Sequence, residues 1–151
     1  MHIVSRRGLF LELVFMLFAA EVACAQTVDQ AGLVGQYDQA VVIQNAAIDK
    51  LAAIAQKSQA VEFQRIITTG GDALAAGTEA LGFARVNVVA AGKTATAYSQ
   101  ALREGRLMDA QTLASLWSKQ AGVARDYLTQ WGQQLAVAAT AIDAASRWLM
   151  K

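Results

Sequence analysis

The chain has 151 residues, enough for one domain of ordinary size. It contains no proline, alanine is abundant, and the β-branched residues do not alternate, so long helices are favoured over strands. The formal net charge is +1, and it remains +1 when residues 1–25 are set aside, so no net charge attracts nucleic acid or anionic lipid. We therefore predict a single-domain, all-α protein that binds no nucleic acid.

Residues 1–25 have the composition of a secretory signal peptide. Residues 6–7 (Arg-Arg) form a basic start, residues 9–20 an apolar segment, and residues 23–25 (Ala-Cys-Ala) an A-x-A cleavage site. The arginine pair also fits the start of a twin-arginine signal, whereas the charge of Glu12 weakens an export signal. We expect export to the periplasm or medium. The alternatives are a misassigned start codon, with the protein in the cytoplasm, or an N-terminal helix that is retained.

Residues 26–151 are predicted to form three long helices, 29–68, 72–103 and 109–149. Residues 68–71 (Thr-Thr-Gly-Gly) predict the first break, because two glycines in succession destabilise a helix interior. Gly105 predicts the second break as a helix C-cap. In the first helix, the predicted apolar stripe comprises Val34, Tyr37, Val41, Ile48, Leu51 and Ala55.

The last predicted helix carries a heptad seam, with apolar residues at alternating steps of three and four. Its members are Ala114, Trp117, Ala121, Ala124, Leu128, Trp131, Leu135, Ala138, Ile142, Ala145 and Leu149. The second helix has two corresponding sets, one with Leu74, Leu81, Val88, Ala95 and Leu102, and one with Gly77, Ala84, Ala91 and Tyr98. Large seam residues packed over small ones bring helices close together. This pattern predicts long antiparallel helices in a coiled-coil-like three-helix bundle.

The sequence offers little for catalysis or metal binding. His2 is the only histidine and Cys24 the only cysteine, and both lie in the predicted signal. Thiolate and imidazole metal sites, haem attachment and histidine-based catalysis are therefore excluded for residues 26–151. The carboxylates there are spread singly along the chain. We predict no catalytic, cofactor-binding or metal-binding residue, and we expect that the protein is not an enzyme.

A second apolar stripe runs along the last helix beside the seam. It contains Leu116, Val123 and Val137, and it is wider than the contact between two helices requires. One interpretation is burial against the first helix, and the other is a face that docks on lipid or polymer. Trp148, beside the seam near the chain end, is a candidate contact with a partner or an apolar surface.

Residues 63–145 resemble a phasin domain, the helical domain of proteins that coat polyhydroxyalkanoate granules in bacteria. The resemblance rests on residues 71–82 (GDALAAGTEALG), 116–120 (LWSKQ) and 127–131 (YLTQW). It implies an amphipathic coat protein that binds an apolar polymer or a membrane-like surface and forms homo-oligomers. Because phasins act in the cytosol, the export-like N-terminus favours an alternative. This is an exported helical-bundle subunit of an envelope apparatus, such as a secretion or conjugation system.

Overall fold

The computed structural model describes residues 28–151, which form three helices and no strand. They are α1 (Gln30–Ala55), α2 (Val61–Arg103) and α3 (Leu107–Trp148). All three pack against one another, and this confirms the all-α three-helix bundle. None of these helices has an apolar stretch long enough to cross a bilayer. The predicted signal peptide, residues 1–25, lies outside the described residues.

The first helix is much shorter than predicted, because the chain turns at residues 56–60. Asp29 caps the start of α1 by accepting a hydrogen bond from the backbone N–H of Gly32. At the other end, the side chain of Gln64 reaches back from α2 and donates to the carbonyls of Ala55 and Ser58, at 3.1 and 2.6 Å. Carbonyls that the helix end leaves free are thereby satisfied.

The predicted break at residues 68–71 is wrong, since these residues lie inside α2. Gly70 is buried, and a Cβ atom there would lie 3.1 Å from the Ala141 side chain and 3.3 Å from that of Leu51. The glycine is thus needed where three helices approach closely, and tertiary packing outweighs its low helix propensity. The hydroxyls of Thr68 and Thr69 donate to carbonyls one turn earlier, which is compatible with a continuous helix.

The second break lies where the sequence predicts it. Gly105 has a φ of 70°, a conformation that glycine adopts without strain, and α2 ends just before it. Arg106 then pairs with both Glu104 and Asp109 across the turn. A hydrogen bond from Gln100, followed in importance by that from Arg106, lowers the pKa of Glu104. These exposed ion pairs bridge the turn, while the core clusters shared by α2 and α3 stabilise the antiparallel hairpin.

The core consists of three apolar clusters stacked along the bundle. One cluster, nearest the α2–α3 turn, contains Leu33, Val88, Ala91, Trp117, Ala121 and Ala124. The middle cluster contains Ala40, Ala80, Leu81, Ala84, Leu128, Trp131 and Leu135. The third contains Leu51, Ala73, Leu74, Ala138 and Ile142. Each cluster includes residues from all three helices, so the bundle is closed along the length of α1.

The apolar stripe predicted for α1 coincides only in part with the residues that are buried. Val34 and Ile48 are exposed, whereas the buried residues of α1 are Leu33, Ala40, Gln44 and Leu51. The heptad that faces the core runs through Gln30, Tyr37, Gln44 and Leu51. Two of these four positions are polar, which is why a search for apolar periodicity misses them.

Gln44 bridges the other two helices from inside the core. Its amide nitrogen donates to the Leu74 carbonyl of α2 at 2.7 Å, and its amide oxygen accepts from the indole N–H of Trp131 of α3 at 2.9 Å. A Cβ atom at Gly77 would lie 3.2 Å from that amide oxygen and 3.4 Å from the Trp131 ring. The glycine therefore makes room for both side chains, in agreement with the predicted packing of large residues over small ones.

The same arrangement occurs a second time, two heptads away. Gln30 donates to the Val88 carbonyl at 3.1 Å and accepts from the indole N–H of Trp117 at 2.9 Å. Gly92 provides the space, because a Cβ atom there would lie 3.2 Å from the Gln30 amide nitrogen. The hydrogen-bonded residues of the two bridges are 14 positions apart in each helix, and the two glycines, Gly77 and Gly92, are 15 apart. The two bridges thus fix α1 parallel to α3 and antiparallel to α2.

Candidate apolar interaction face

The second apolar stripe of α3 lies outside the core. Leu116 is 45% exposed, Val123 42% and Val137 45%. The three residues are separated by seven and fourteen positions, so they lie on one face of the helix. The core is complete without these three residues. They are therefore not buried against α1.

Trp148 packs within the chain. Its ring lies 5.1 Å from that of Phe63, between centroids, at an interplanar angle of 50°. Phe63 is fully buried and Trp148 half-buried. The Trp148 ring therefore covers the far end of the core, and only part of its surface remains for a partner.

The five seam residues singled out in α3 all lie in the core. They are Trp117, Leu128, Trp131, Leu135 and Ile142. The ends of the predicted seams differ, since Ala114 is half-buried, and Leu149 and Leu102 are exposed. These end residues lie beyond the span that α1 covers or at the last turn of a helix.

Residues of α2 extend the α3 stripe near Val123, whereas the heptad position between Val123 and Val137 is the exposed polar residue Gln130. Phe83 is 48% exposed and stacks on Tyr127 of α3, with ring centroids 5.1 Å apart. Val86, one turn further along α2, is 67% exposed. Since the helices are antiparallel, Val123, one turn before Tyr127, lies at the level of Val86.

We call this surface the outer face. It consists of Phe83, Val86 and Ala90 of α2 with Leu116, Val123 and Val137 of α3. It points away from α1, because Thr78, which accepts a hydrogen bond from Gln44 of α1, precedes Phe83 by five residues. Five residues correspond to about 140° around a helix.

Sequence reasoning missed the α2 half of the outer face. Phe83 and Val86 are set among alanines and glycines, and neither belongs to a heptad set of its own. The available signal was that two large apolar residues, Phe83 and Val86, fall outside both heptad sets of this helix.

The outer face has charged residues at its border. Glu79 and Lys93 of α2 and Lys119 and Asp126 of α3 are exposed, and none of the four forms an ion pair with another residue between 28 and 151. These four residues carry two charges of each sign, and the exposed Asp72, one heptad before Glu79 on α2, adds one negative charge. Contact with a flat surface must therefore depend on apolar area.

The described part of the chain brings no three metal-binding side chains together.

The chain matches no protein-family model, no curated protein and no solved structure. The structure shows a closed bundle with exposed apolar side chains on one side.

Proposed function

We propose that the protein is a non-catalytic, phasin-like coat protein that binds an apolar surface through the outer face. The surface would be that of a polyhydroxyalkanoate granule or a similar lipid-like particle. One observation carries the proposal. Leu116, Val123 and Val137 are nearly half exposed in a line along α3, while the core closes without them.

The energetics support an apolar contact. Burial of the outer face is favourable by about 25 cal/mol per Å² of apolar area, before the costs of orientation. The border carries a net charge near zero and adds little long-range attraction. Binding is therefore expected to persist at high salt.

The test is co-flotation of the protein with apolar-core particles at low salt and at about 1 M salt, where the Debye length is about 3 Å. The unchanged protein should float in both conditions. The double variant Leu116→Asp/Val123→Asp should remain at the bottom, because charge on the outer face opposes its burial.

The matched control is Val42→Asp/Ile48→Asp, which places two charges on exposed positions of α1. It should float like the unchanged protein, and circular dichroism should show that both variants remain helical. If the unchanged protein no longer floats at high salt, or if the control variant loses flotation as the outer-face variant does, binding through apolar area on the outer face is contradicted.

A second proposal is an exported helical-bundle subunit of an envelope apparatus. The closed core supports it, because the two Gln–Trp bridges hold the three helices in one register. Such a bundle docks as a rigid body without opening. Mass spectrometry of the protein from cells discriminates between the two, since a chain that begins at Gln26 supports export and an uncleaved chain supports the granule coat.

A further inference from the structure

We infer that, in solution, the outer face is covered by a second copy of the chain, which packs antiparallel about a two-fold axis at the level of Val86 and Val123. This inference does not rest on surface binding. It rests on the order of charges and side-chain sizes along both helices of the outer face.

Along α2, the exposed positions are symmetric about Val86, with a negative charge on one side matched by a positive charge on the other, and a large side chain matched by a small one. Glu79 and Lys93 each lie seven residues from Val86, or about 10 Å along the axis on either side. Between them, large Phe83 precedes Val86 and small Ala90 follows it. An antiparallel second copy therefore places Glu79 beside Lys93 and the ring of Phe83 over Ala90.

Along α3, opposite charges likewise lie on the two sides of Val123, which is at the level of Val86. Lys119 lies four residues before Val123, and Asp126 lies three residues after it. In the antiparallel pair, Lys119 of one copy thus approaches Asp126 of the other. Both helices have their centres at the level where Val86 lies beside Val123, so one two-fold axis serves both.

The order of residues also selects among occupants. A second copy related by a two-fold axis parallel to the helices would place α2 of one copy over α3 of the other, so Glu79 and Lys93 would not meet. A flat apolar surface would leave the four charges without partners. Only the antiparallel copy matches each charge with its opposite and the large side chain with the small one.

The size of the outer face suits a reversible dimer. The two-fold axis at Val123 lies seven residues from Leu116 and fourteen from Val137, so the two stripes overlap over about 20 Å at 1.5 Å per residue, and two helices side by side are about 20 Å wide. The overlapping faces cover about 800 Å² in total, in the size range of weak, transient interfaces. We expect a dimer that dissociates on dilution.

The test measures the mass of the protein recovered from cells by analytical ultracentrifugation over a range of concentrations. Glu79→Lys alone and Lys93→Glu alone should each weaken the dimer roughly five- to thirtyfold, because each change produces two like-charge contacts across the two-fold axis. An equal mixture of the two variants should form heterodimers as tight as the original dimer, since every Lys then meets a Glu.

Lys50→Glu, on the exposed side of α1, is the control for charge and should leave the dimer intact. Val86→Asp should abolish the dimer, whereas Val42→Asp, on a valine 68% exposed in α1, should not. Two results would overturn the inference: a protein that is monomeric at every concentration, or a mixture of the charge variants that associates no better than each alone. A monomer that still floats with apolar particles would identify the surface, not a second copy, as the occupant.

Discussion

At the scale of single residues, the two buried glutamines determine how the helices fit together. A buried amide is costly unless its hydrogen bonds are made, and Gln44 makes bonds to both other helices. A shift of α1 by one residue would break both bonds and leave the indole N–H of Trp131 without an acceptor. The glutamines therefore specify the register more strictly than the apolar contacts around them.

We predict that Gln44→Leu lowers the free energy of unfolding by about 1–3 kcal/mol, because it leaves the Trp131 N–H buried without a partner. In the Gln44→Leu background, Trp131→Phe should cost at least about 1 kcal/mol less than in the unchanged protein, since the orphaned donor is then removed. Urea unfolding of the four proteins in this cycle measures the coupling. Additive losses would show that the hydrogen bond contributes nothing.

Gln30→Leu is the matched comparison for this cycle. Gln30 makes the same two kinds of bond, to Val88 and Trp117, but it is only half-buried near the start of α1. Water can replace the lost partner there, and the loss should be smaller than for Gln44→Leu.

At the scale of the helices, two adjacent glycines have different roles in α2. Gly70 lies against Ala141 and Leu51, whereas a Cβ atom at Gly71 would have no neighbour within 4 Å. We predict that Gly71→Ala stabilises the protein by about 0.5–1 kcal/mol. Alanine has less conformational entropy than glycine in the unfolded chain, so less entropy is lost when this helical position folds.

For Gly70→Ala we predict the opposite sign. The new methyl group would lie 3.1 Å from Ala141, and α2 would have to move away from α3. Thermal unfolding monitored by circular dichroism measures both variants. If both were destabilising, residues 70–71 would not be a regular part of α2.

The helices differ in how far their sequences reveal them. In α3, the seam from Trp117 to Ile142 is apolar at every step, so periodicity alone identifies the buried side. In α1, polar Gln30 and Gln44 occupy the seam, and their partners are far away in sequence. The tight crossing at Gly70 is likewise a tertiary feature, and the same dipeptide reads locally as a turn.

The outer face was predictable only in part for a similar reason. Leu116, Val123 and Val137 repeat at heptad spacing and so form a visible stripe. Phe83 joins them only because α2 and α3 pair in a register that stacks its ring on Tyr127. That register depends on contacts between residues more than 40 positions apart, which periodicity within one helix does not encode.

At the scale of the whole molecule, the proposed dimer and the proposed surface-bound state would use the same face and would therefore exclude one another. An apolar surface binds the chain only at the expense of the dimer, so dilution favours coating and high concentration favours the paired form. The two glutamine bridges keep the bundle closed in both states. What changes is the partner of the outer face.

Locking the dimer tests this competition. In the proposed dimer, two copies of Val86 meet at the two-fold axis, so Val86→Cys should form a disulfide between copies under mild oxidation, provided that Cys24, the only native cysteine, is replaced by alanine. The locked dimer should no longer float with apolar particles, and a reducing agent should restore flotation. Val42→Cys has similar exposure on α1 and should neither cross-link readily nor lose flotation. A cross-linked Val86→Cys dimer that still floats would show that the apolar surface is bound by a different part of the molecule.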